Sequence, residues 1–256
     1  MKNVLTVTRF TFIEVYRSKL MLSLVFLAIG LLVATYVASE FAYGAPAKVA
    51  LDVGLGIMSI SNLVIAIFIG ANLLSKEIEQ RTLYMIISRP ISRTSFLLGK
   101  ILGLSSVLLI NSIVLGGMSC ILYLSFSGGH YQPLFGWTLY FSFLEAFTVL
   151  IFAVLFSLIT NSTLSVIYTL CVFVVGHAIN ETSKLFFVKI SPIFEYAIQV
   201  CFIVLPNFYR LNLKEFLLYK QSIERAYLID TQLYIALYLV ALITLVVLIF
   251  KKRNLD

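Results

Sequence analysis

Charge is what this sequence has least of. Only 12% of its 256 residues are Asp, Glu, Lys or Arg, whereas a soluble domain carries about twice that fraction. Hydrophobic residues make up 61% of the chain. The composition therefore excludes an ordinary soluble domain. Because helices satisfy their own backbone polar groups in lipid, we predict an all-α integral membrane protein with a single domain over residues 1–256.

Cysteine and histidine are also scarce, and their positions argue against a reactive or metal-binding site. Cys120, Cys171 and Cys201 all lie in apolar runs, and an odd count without paired spacing predicts neither a disulfide framework nor a metal cluster. His130 and His177 have no partner at ligand spacing in the sequence. We therefore expect no metal site and no catalytic residue, and we interpret each lone histidine as structural.

Nucleotide and nucleic-acid signatures are missing as well. The pattern G-x-x-x-x-G-K-[ST] does not occur, so we expect no phosphate-binding loop in this chain. The net charge is +7, but the sequence has no dense Lys/Arg stripe with interleaved aromatic residues, and nucleic acid is not an expected partner. The basic residues instead gather at the ends of apolar segments, where membrane lipid is the expected partner.

Six apolar segments are about as long as a membrane-spanning helix, which needs about 20 residues. Lys and Arg are more frequent on one side of these segments, including Lys251, Lys252 and Arg253 directly after the last one. Because basic residues favour the cytoplasmic side, we predict a multi-pass protein with both termini in the cytoplasm. The predicted spans are approximately residues 20–38, 55–74, 98–122, 139–159, 164–179 and 233–250.

Two further segments complete the predicted fold. Residues 1–19 mix apolar and charged side chains, which is typical of a helix lying in the membrane interface. Residues 181–232 are too long for a structureless loop, and we place them outside the cytoplasm. Within them, residues 193–205 are apolar but short and lie between Pro192 and Pro206, which predicts a re-entrant or interfacial helix before the last span. A surface helix is expected around residues 213–219.

A charged island interrupts the apolar sequence between the second and third predicted spans. Residues 76–100 contain five basic and two acidic side chains. Glu77 and Arg81 form an i, i+4 pair on one helix face, Pro90 ends the helix, and Ser92 offers an N-cap for the next span. We therefore predict a short amphipathic helix within residues 76–97, held by the two neighbouring spans. The alternative is a solvated loop.

The island contains Glu77, Arg81-Thr82, Arg89-Pro90, Arg93 and Gly99-Lys100, and Leu205-Pro206-Asn207-Phe208 precedes the last span. With these residues the island resembles the loop between spans two and three of type-2 ATP-binding-cassette exporter permeases. The six-span layout and the 205–208 segment are also similar to that family. The resemblance is to the branch that contains the permease for nitrous-oxide reductase maturation and the gliding-motility permeases.

This resemblance implies a permease subunit in a bacterial inner (plasma) membrane that has no ATPase site of its own. It would pair with a second permease copy or a homologous permease, and the pair would bind two copies of a separate ATPase subunit, which uses ATP and Mg. The island would be the coupling helix that docks on the ATPase. The implied docking residues are Glu77, Glu79, Arg81, Thr82, Arg89, Pro90 and Arg93.

Polar residues inside the predicted spans are the other candidates. Glu145 lies among apolar neighbours in the fourth span, and an ionised carboxylate at that depth must face protein, water or a donor. It is a candidate for a substrate path or gate, with a structural role equally open. Asn62 is a second such candidate, although Asn62 and Asn111 more often make hydrogen bonds between helices. The small residues between Gly99 and Gly103 predict close helix packing.

The leading functional prediction is the permease subunit of an ATP-driven exporter. The alternative is a membrane scaffold or assembly factor that uses the same loop to dock a cytoplasmic partner without transport. A stand-alone secondary carrier is less favoured, because the spans have few ionisable groups and no evident inverted repeat. The sequence does not identify a substrate.

Overall fold

The computed structural model describes residues 2–17, 26, 29–30, 33–38, 40–41, 44–79, 92–127, 133–182, 204–219 and 223–252. No strand occurs in these ranges, so the predicted all-α fold is confirmed for the described part of the chain. The elements are α1 (Lys2–Tyr16), α2 (Pro46–Glu79), α3 (Arg93–Ser127), α4 (Leu134–Ile159), α5 (Ser162–Thr182), a 3-10 helix (Phe208–Leu211), α6 (Lys214–Leu218) and α7 (Arg225–Lys252).

Five of these helices, α2, α3, α4, α5 and α7, are long and apolar enough to cross a membrane. They coincide with the last five predicted spans, as a multi-pass membrane protein requires. Residues 26, 29–30 and 33–38 of the first predicted span are helical, but the rest of that span lies outside the described residues. The first of the six predicted spans therefore stays a prediction.

The long helices alternate in direction. Asn62 of α2 bonds to Ser112 of α3, and a Cβ on Gly54 would lie 2.5 Å from the Ser119 side chain, so α2 and α3 are antiparallel. We define two ends of the bundle from this order. The loop end contains Glu79, Arg93, Ile159 and Lys252, and the cavity end contains Pro46, Ser127, Leu134 and Thr182.

The first helix packs directly against α3. A Cβ on Gly99 would lie 2.7 Å from Val7 Cβ, and a Cβ on Gly103 would lie 2.7 Å from Thr11 Cβ. The Thr8 hydroxyl also donates to the Gly99 carbonyl at 3.1 Å. The predicted close packing at these two glycines is confirmed. In the predicted segment 1–19 the described residues form a helix from Lys2 to Tyr16, and its place in the membrane interface stays a prediction.

An amide and hydroxyl network joins α2 to α3 inside the bundle. The Asn111 amide donates to Asn62 Oδ1 at 2.7 Å and to Ser61 Oγ at 3.1 Å. The Asn62 amide donates to Ser112 Oγ at 2.9 Å. The predicted hydrogen bonds of Asn62 and Asn111 between helices are therefore confirmed, and each such bond stabilises a membrane bundle by about 1 kcal/mol.

The predicted extracytoplasmic region is described in part. The surface helix expected around residues 213–219 is found as α6. Residues 193–203 of the predicted re-entrant helix lie outside the described ranges, and that prediction is untested. The described chain leaves α5 at Thr182 and resumes at Val204, next to Tyr238 of α7.

Candidate functional site

The most distinctive polar contact inside the bundle joins Glu145 of α4 to His177 of α5. The two helices form an antiparallel hairpin around the turn at residues 160–161, in which Ser165 also bonds to the Ala153 carbonyl at 2.9 Å. His177 Nε2 lies 3.3 Å from Glu145 Oε1. Glu145 is eleven residues beyond Leu134, which places it about 16 Å along α4 from the cavity end.

This contact gives His177 a partner that lies far from it in the sequence. Glu145 and His177 are 32 positions apart in the sequence, so no local spacing reveals the pair. They are nearly equidistant from the turn, however, and residues equidistant from the turn of an antiparallel helix hairpin lie at similar depth. A prediction that treated the fourth and fifth spans as an antiparallel hairpin would therefore have paired Glu145 with His177. The prediction that Glu145 faces protein is confirmed.

The imidazole of His177 is partly buried and has several defined contacts. Its Nδ1 lies 3.2 Å from the Phe173 carbonyl. Its ring contacts the rings of Phe173, at 4.5 Å, and Phe208, at 5.4 Å between centroids, and these two rings also contact each other. Phe208 is completely buried and reaches His177 because Gly176 has no side chain to block it. The site therefore holds the imidazole in one orientation.

These contacts determine where the protons lie. A carbonyl oxygen only accepts hydrogen bonds, so Nδ1 carries a hydrogen toward Phe173. Nε2 faces a carboxyl oxygen, and that contact is favourable only if a proton lies between Nε2 and Oε1. The proton belongs either to an imidazolium beside a carboxylate or to a carboxylic acid beside a neutral imidazole. In both cases the Glu145–His177 pair is neutral overall.

The pair lies in the wall of a cavity of about 170 Å³ near the cavity end. Hydroxyl groups supply much of the other polar lining, and α2, α4, α5 and the segment around α6 all contribute to it. The cavity thus has a mixed polar and apolar lining. Its lining residues are Leu55, Gly56, Met58, Ser59, Thr138, Ser142, Glu145, Phe173, His177, Leu211, Asn212, Leu213 and Lys214.

We call residues 204–214 the strap, and its last four residues, 211–214, line one side of the cavity. Three tyrosines of α7 hold it. Tyr238 donates to the Val204 carbonyl at 2.9 Å, Tyr234 accepts from the backbone N–H of residue 207 at 3.0 Å, and Tyr227 donates to the carbonyl of residue 210 at 3.3 Å. Residues at i, i+7 and i+11 share one helix face, so a single face of α7 positions the strap.

Two contacts of charged side chains join the strap and α6 to α2. Lys214 Nζ lies 2.7 Å from Asp52 Oδ1, and Lys48 Nζ lies 4.0 Å from the centroid of the Tyr219 ring. The side chain of Asp52 is 55% exposed, and solvent-exposed ion pairs of this kind contribute at most about 1 kcal/mol. The two contacts orient the strap more than they stabilise it.

Metal-ligand clusters are absent from the described residues, where no three His, Cys, Asp or Glu side chains converge. Cys120 and Cys171 are free thiols on α3 and α5, and Cys201 lies outside the described ranges. Within the described part, Glu145 and His177 form a pair rather than a three-ligand site.

The residues predicted to dock an ATPase are placed only in part. Glu77 and Glu79 belong to the last turns of α2, which continues to residue 79, whereas the sequence predicted a separate helix. Arg93 is the first residue of α3. The predicted N-cap is confirmed, because Ser92 Oγ accepts from the Ser95 N–H at 3.2 Å. Arg81, Thr82, Arg89 and Pro90 lie outside the described residues, so the coupling helix stays a prediction.

The two candidates for a substrate path are placed differently. Glu145 lies in the cavity wall, whereas Asn62 is 1% exposed and is bonded within the network between α2 and α3. Ser59, one turn before Asn62, does line the cavity. The geometry therefore keeps Glu145 as a site residue and gives Asn62 a structural contact.

No protein-family model matches this sequence, and no curated protein matches it. The relation to exporter permeases consequently rests on the residues of the charged island and of the 205–208 segment.

Proposed function

We propose that this chain is the transmembrane permease subunit of an ATP-driven exporter. A separate ATPase subunit would bind the charged island at the loop end, and two permease subunits, identical or homologous, would form the transport path. The membrane would be a bacterial inner membrane, with both termini in the cytoplasm. The proposal is supported by the resemblance of the island to the coupling loop of type-2 exporter permeases.

The observation that carries the proposal is the continuity of α2. This single helix contains Leu55 and Ser59, which line the cavity, and it continues to Glu79 at the edge of the island. Ser59 and Glu79 are 20 positions apart, which corresponds to about 30 Å of helix. A rigid helix of that length transmits a displacement of the island to the cavity wall without any intermediate element.

The length of the neighbouring helix is consistent with the same arrangement. Helices α2 and α3 have 34 and 35 residues, or about 50 Å each, while the hydrocarbon core of a bilayer is about 30 Å thick. Both helices therefore extend beyond the hydrocarbon. Since the island connects their loop-end termini, it is held by two helices that both reach the cavity end.

In this mechanism ATP binding closes the two ATPase subunits and displaces the island. Helix α2 moves with the island and changes the cavity wall at Leu55–Ser59 relative to α4 and α5. The chain itself performs no hydrolysis. Its contribution is the mechanical connection between the ATPase and the polar cavity.

Charge reversal in the island tests this proposal. Glu77→Arg and Arg81→Glu should reduce copurification of the partner ATPase subunit, or lower the ATP hydrolysis that the permease stimulates. Arg9→Glu is the matched control, because Arg9 is exposed on α1 outside the island. The proposal is wrong if both island variants bind the ATPase and stimulate hydrolysis like the wild type. ATPase binding without any transport in reconstituted vesicles would instead favour a scaffold.

A further inference from the structure

The close approach of Glu145 and His177 is the most unusual feature of the cavity. Their facing atoms, Oε1 and Nε2, lie 3.3 Å apart, and both have lone pairs directed at the same point once the proton is removed. Two acceptors at this separation repel each other unless a positively charged hydrogen lies between or beside them. The pair is thus built to bind either a proton or another cationic N–H group.

The surrounding charged groups do not replace that proton. On the strap, Lys214 is bonded to Asp52 of α2 at 2.7 Å, and the Arg210 guanidinium lies over the ring of Tyr234 of α7 at 5.6 Å. On α4, the ionisable group that faces His177 is Glu145 itself. Among the described residues around the cavity, the positive charge available to Glu145 is therefore that of protonated His177 or of a ligand.

Lys214 also lines the cavity, but its charge is paired with Asp52 at 2.7 Å. The rest of the lining fits an alkylammonium group better than a metal ion or an anion. Ser59 and Ser142 offer hydroxyl oxygens to N–H donors. The Thr138 hydroxyl already donates to the Leu134 carbonyl at 2.9 Å, so its oxygen is left as an acceptor. The apolar lining, which includes Leu55, is suited to a short alkyl chain.

We propose that the cavity binds the ammonium group of a small organic cation in exchange for the proton shared by Glu145 and His177. The bound state contains a Glu145 carboxylate, a neutral His177 with its hydrogen on Nδ1, and the ligand ammonium. The ligand brings one positive charge and one proton leaves to solvent, so the net charge of the site changes by zero. This inference deepens the proposed function by naming a substrate class, and it depends on that function only in treating the ligand as cargo.

The exchange is tested on the purified full-length chain in detergent at neutral pH. The probe is n-butylammonium chloride, and n-butanol and sodium chloride at equal concentration are the comparison solutes. Binding is followed as a rise in the thermal unfolding temperature, and proton release by a pH indicator in weakly buffered solution. We expect saturation by n-butylammonium alone, with one proton released for each chain.

Two isosteric variants make the test specific. Glu145→Gln removes the carboxylate charge, so binding should weaken about 10- to 100-fold, the usual effect of losing a charged hydrogen bond, and proton release should disappear. Glu215→Gln is the matched control, because Glu215 is exposed on α6 and does not line the cavity. It should bind n-butylammonium and release a proton like the wild type.

The inference is overturned if n-butylammonium raises the unfolding temperature no more than sodium chloride or n-butanol, or if it binds without proton release. Equal binding by Glu145→Gln overturns it too. If that variant does not fold, the number of protons that the wild-type chain releases on binding n-butylammonium tests the inference by itself. The ATPase-copurification test is separate: a chain that binds its ATPase but no amine refutes only this inference, and one that binds amine but no ATPase refutes only the exporter proposal.

Discussion

Gly176 of α5 and Phe208 of the strap are in direct contact, and the contact exists because residue 176 has no side chain. A Cβ at position 176 would lie 2.6 Å from Phe208 Cδ2 and 2.8 Å from the Pro206 carbonyl oxygen. Real Cβ atoms do not approach other atoms so closely. Because Phe208 also stacks on His177, this one glycine couples the position of the strap to the polar site.

Gly176→Ala should therefore destabilise the protein although alanine favours helices. Overpacking a filled site costs about 1–3 kcal/mol, which exceeds the gain of up to about 1 kcal/mol from replacing glycine inside a helix. The measurement is the midpoint of thermal unfolding in detergent, which should fall for the variant.

Gly117→Ala is the matched control for that substitution. Gly117 lies inside α3, and a Cβ there would meet no atom within 4 Å. Only the helix-propensity gain applies, so its unfolding midpoint should stay unchanged or rise. Equal effects of the two substitutions would show that the contact between residue 176 and Phe208 is not tight.

The amide network between α2 and α3 predicts coupled effects of two substitutions. Asn62→Ala and Asn111→Ala each remove one partner of the 2.7 Å bond and leave a buried polar group without that partner. Each should destabilise the protein by about 1 kcal/mol. The double variant should cost less than the sum, by about 0.5 kcal/mol or more, since residues in contact are not additive.

Unfolding free energies of the four proteins, measured in the same detergent, test this coupling. Asn72→Ala provides a comparison outside the network, because the Asn72 side chain bonds to Phe68 and Ser162 instead. Additive effects of Asn62→Ala and Asn111→Ala would contradict the hydrogen bond between the two side chains.

Helix positions were predictable from the sequence because hydrophobic length reports directly on membrane spans. Their ends were not, since α2 begins at Pro46 and continues to Glu79 through charged residues that a hydropathy pattern excludes. The N-cap at Ser92 was predictable because capping is local chemistry. The continuation of α2 through Lys76 and Glu77 depends on helix propensity rather than on hydrophobicity.

Cysteine labelling checks the predicted topology. The order of the helices places Glu215 at the cavity end and Lys252 at the loop end, and Arg9 lies on α1, which packs on the loop-end turns of α3. With Cys120, Cys171 and Cys201 replaced by serine, a membrane-impermeant maleimide should label Glu215→Cys in intact cells but neither Arg9→Cys nor Lys252→Cys, and all three should react after lysis. Opposite labelling of positions 9 and 252 would exclude an even number of spans.

Only part of the polar site was predictable from the sequence. Glu145 was identifiable because a carboxylate among Phe143, Leu144, Ala146 and Phe147 is costly in lipid and must have a partner. His177 was not, since its significance arises from the depth at which the hairpin places it. In the sequence, Phe208 stood out only as part of the 205–208 segment that is similar to exporter permeases. Its contact with the imidazole depends on the absence of a side chain at Gly176, and neither residue alone predicts that contact.

The energetic role of the Glu145–His177 pair is open to a direct test by replacing one partner or both. Glu145→Leu leaves Nε2 of a partly buried imidazole without its hydrogen-bond partner, which should destabilise the protein by about 1–3 kcal/mol. Glu145→Gln keeps an amide group within reach of Nε2 and should cost less. Glu145→Leu combined with His177→Phe removes both polar partners, and it should recover part of the loss because an apolar pair has no unmet hydrogen bond. Thermal unfolding of the purified variants measures this order, and a double variant as unstable as the sum of its single substitutions would show that the 3.3 Å contact does not couple the two residues.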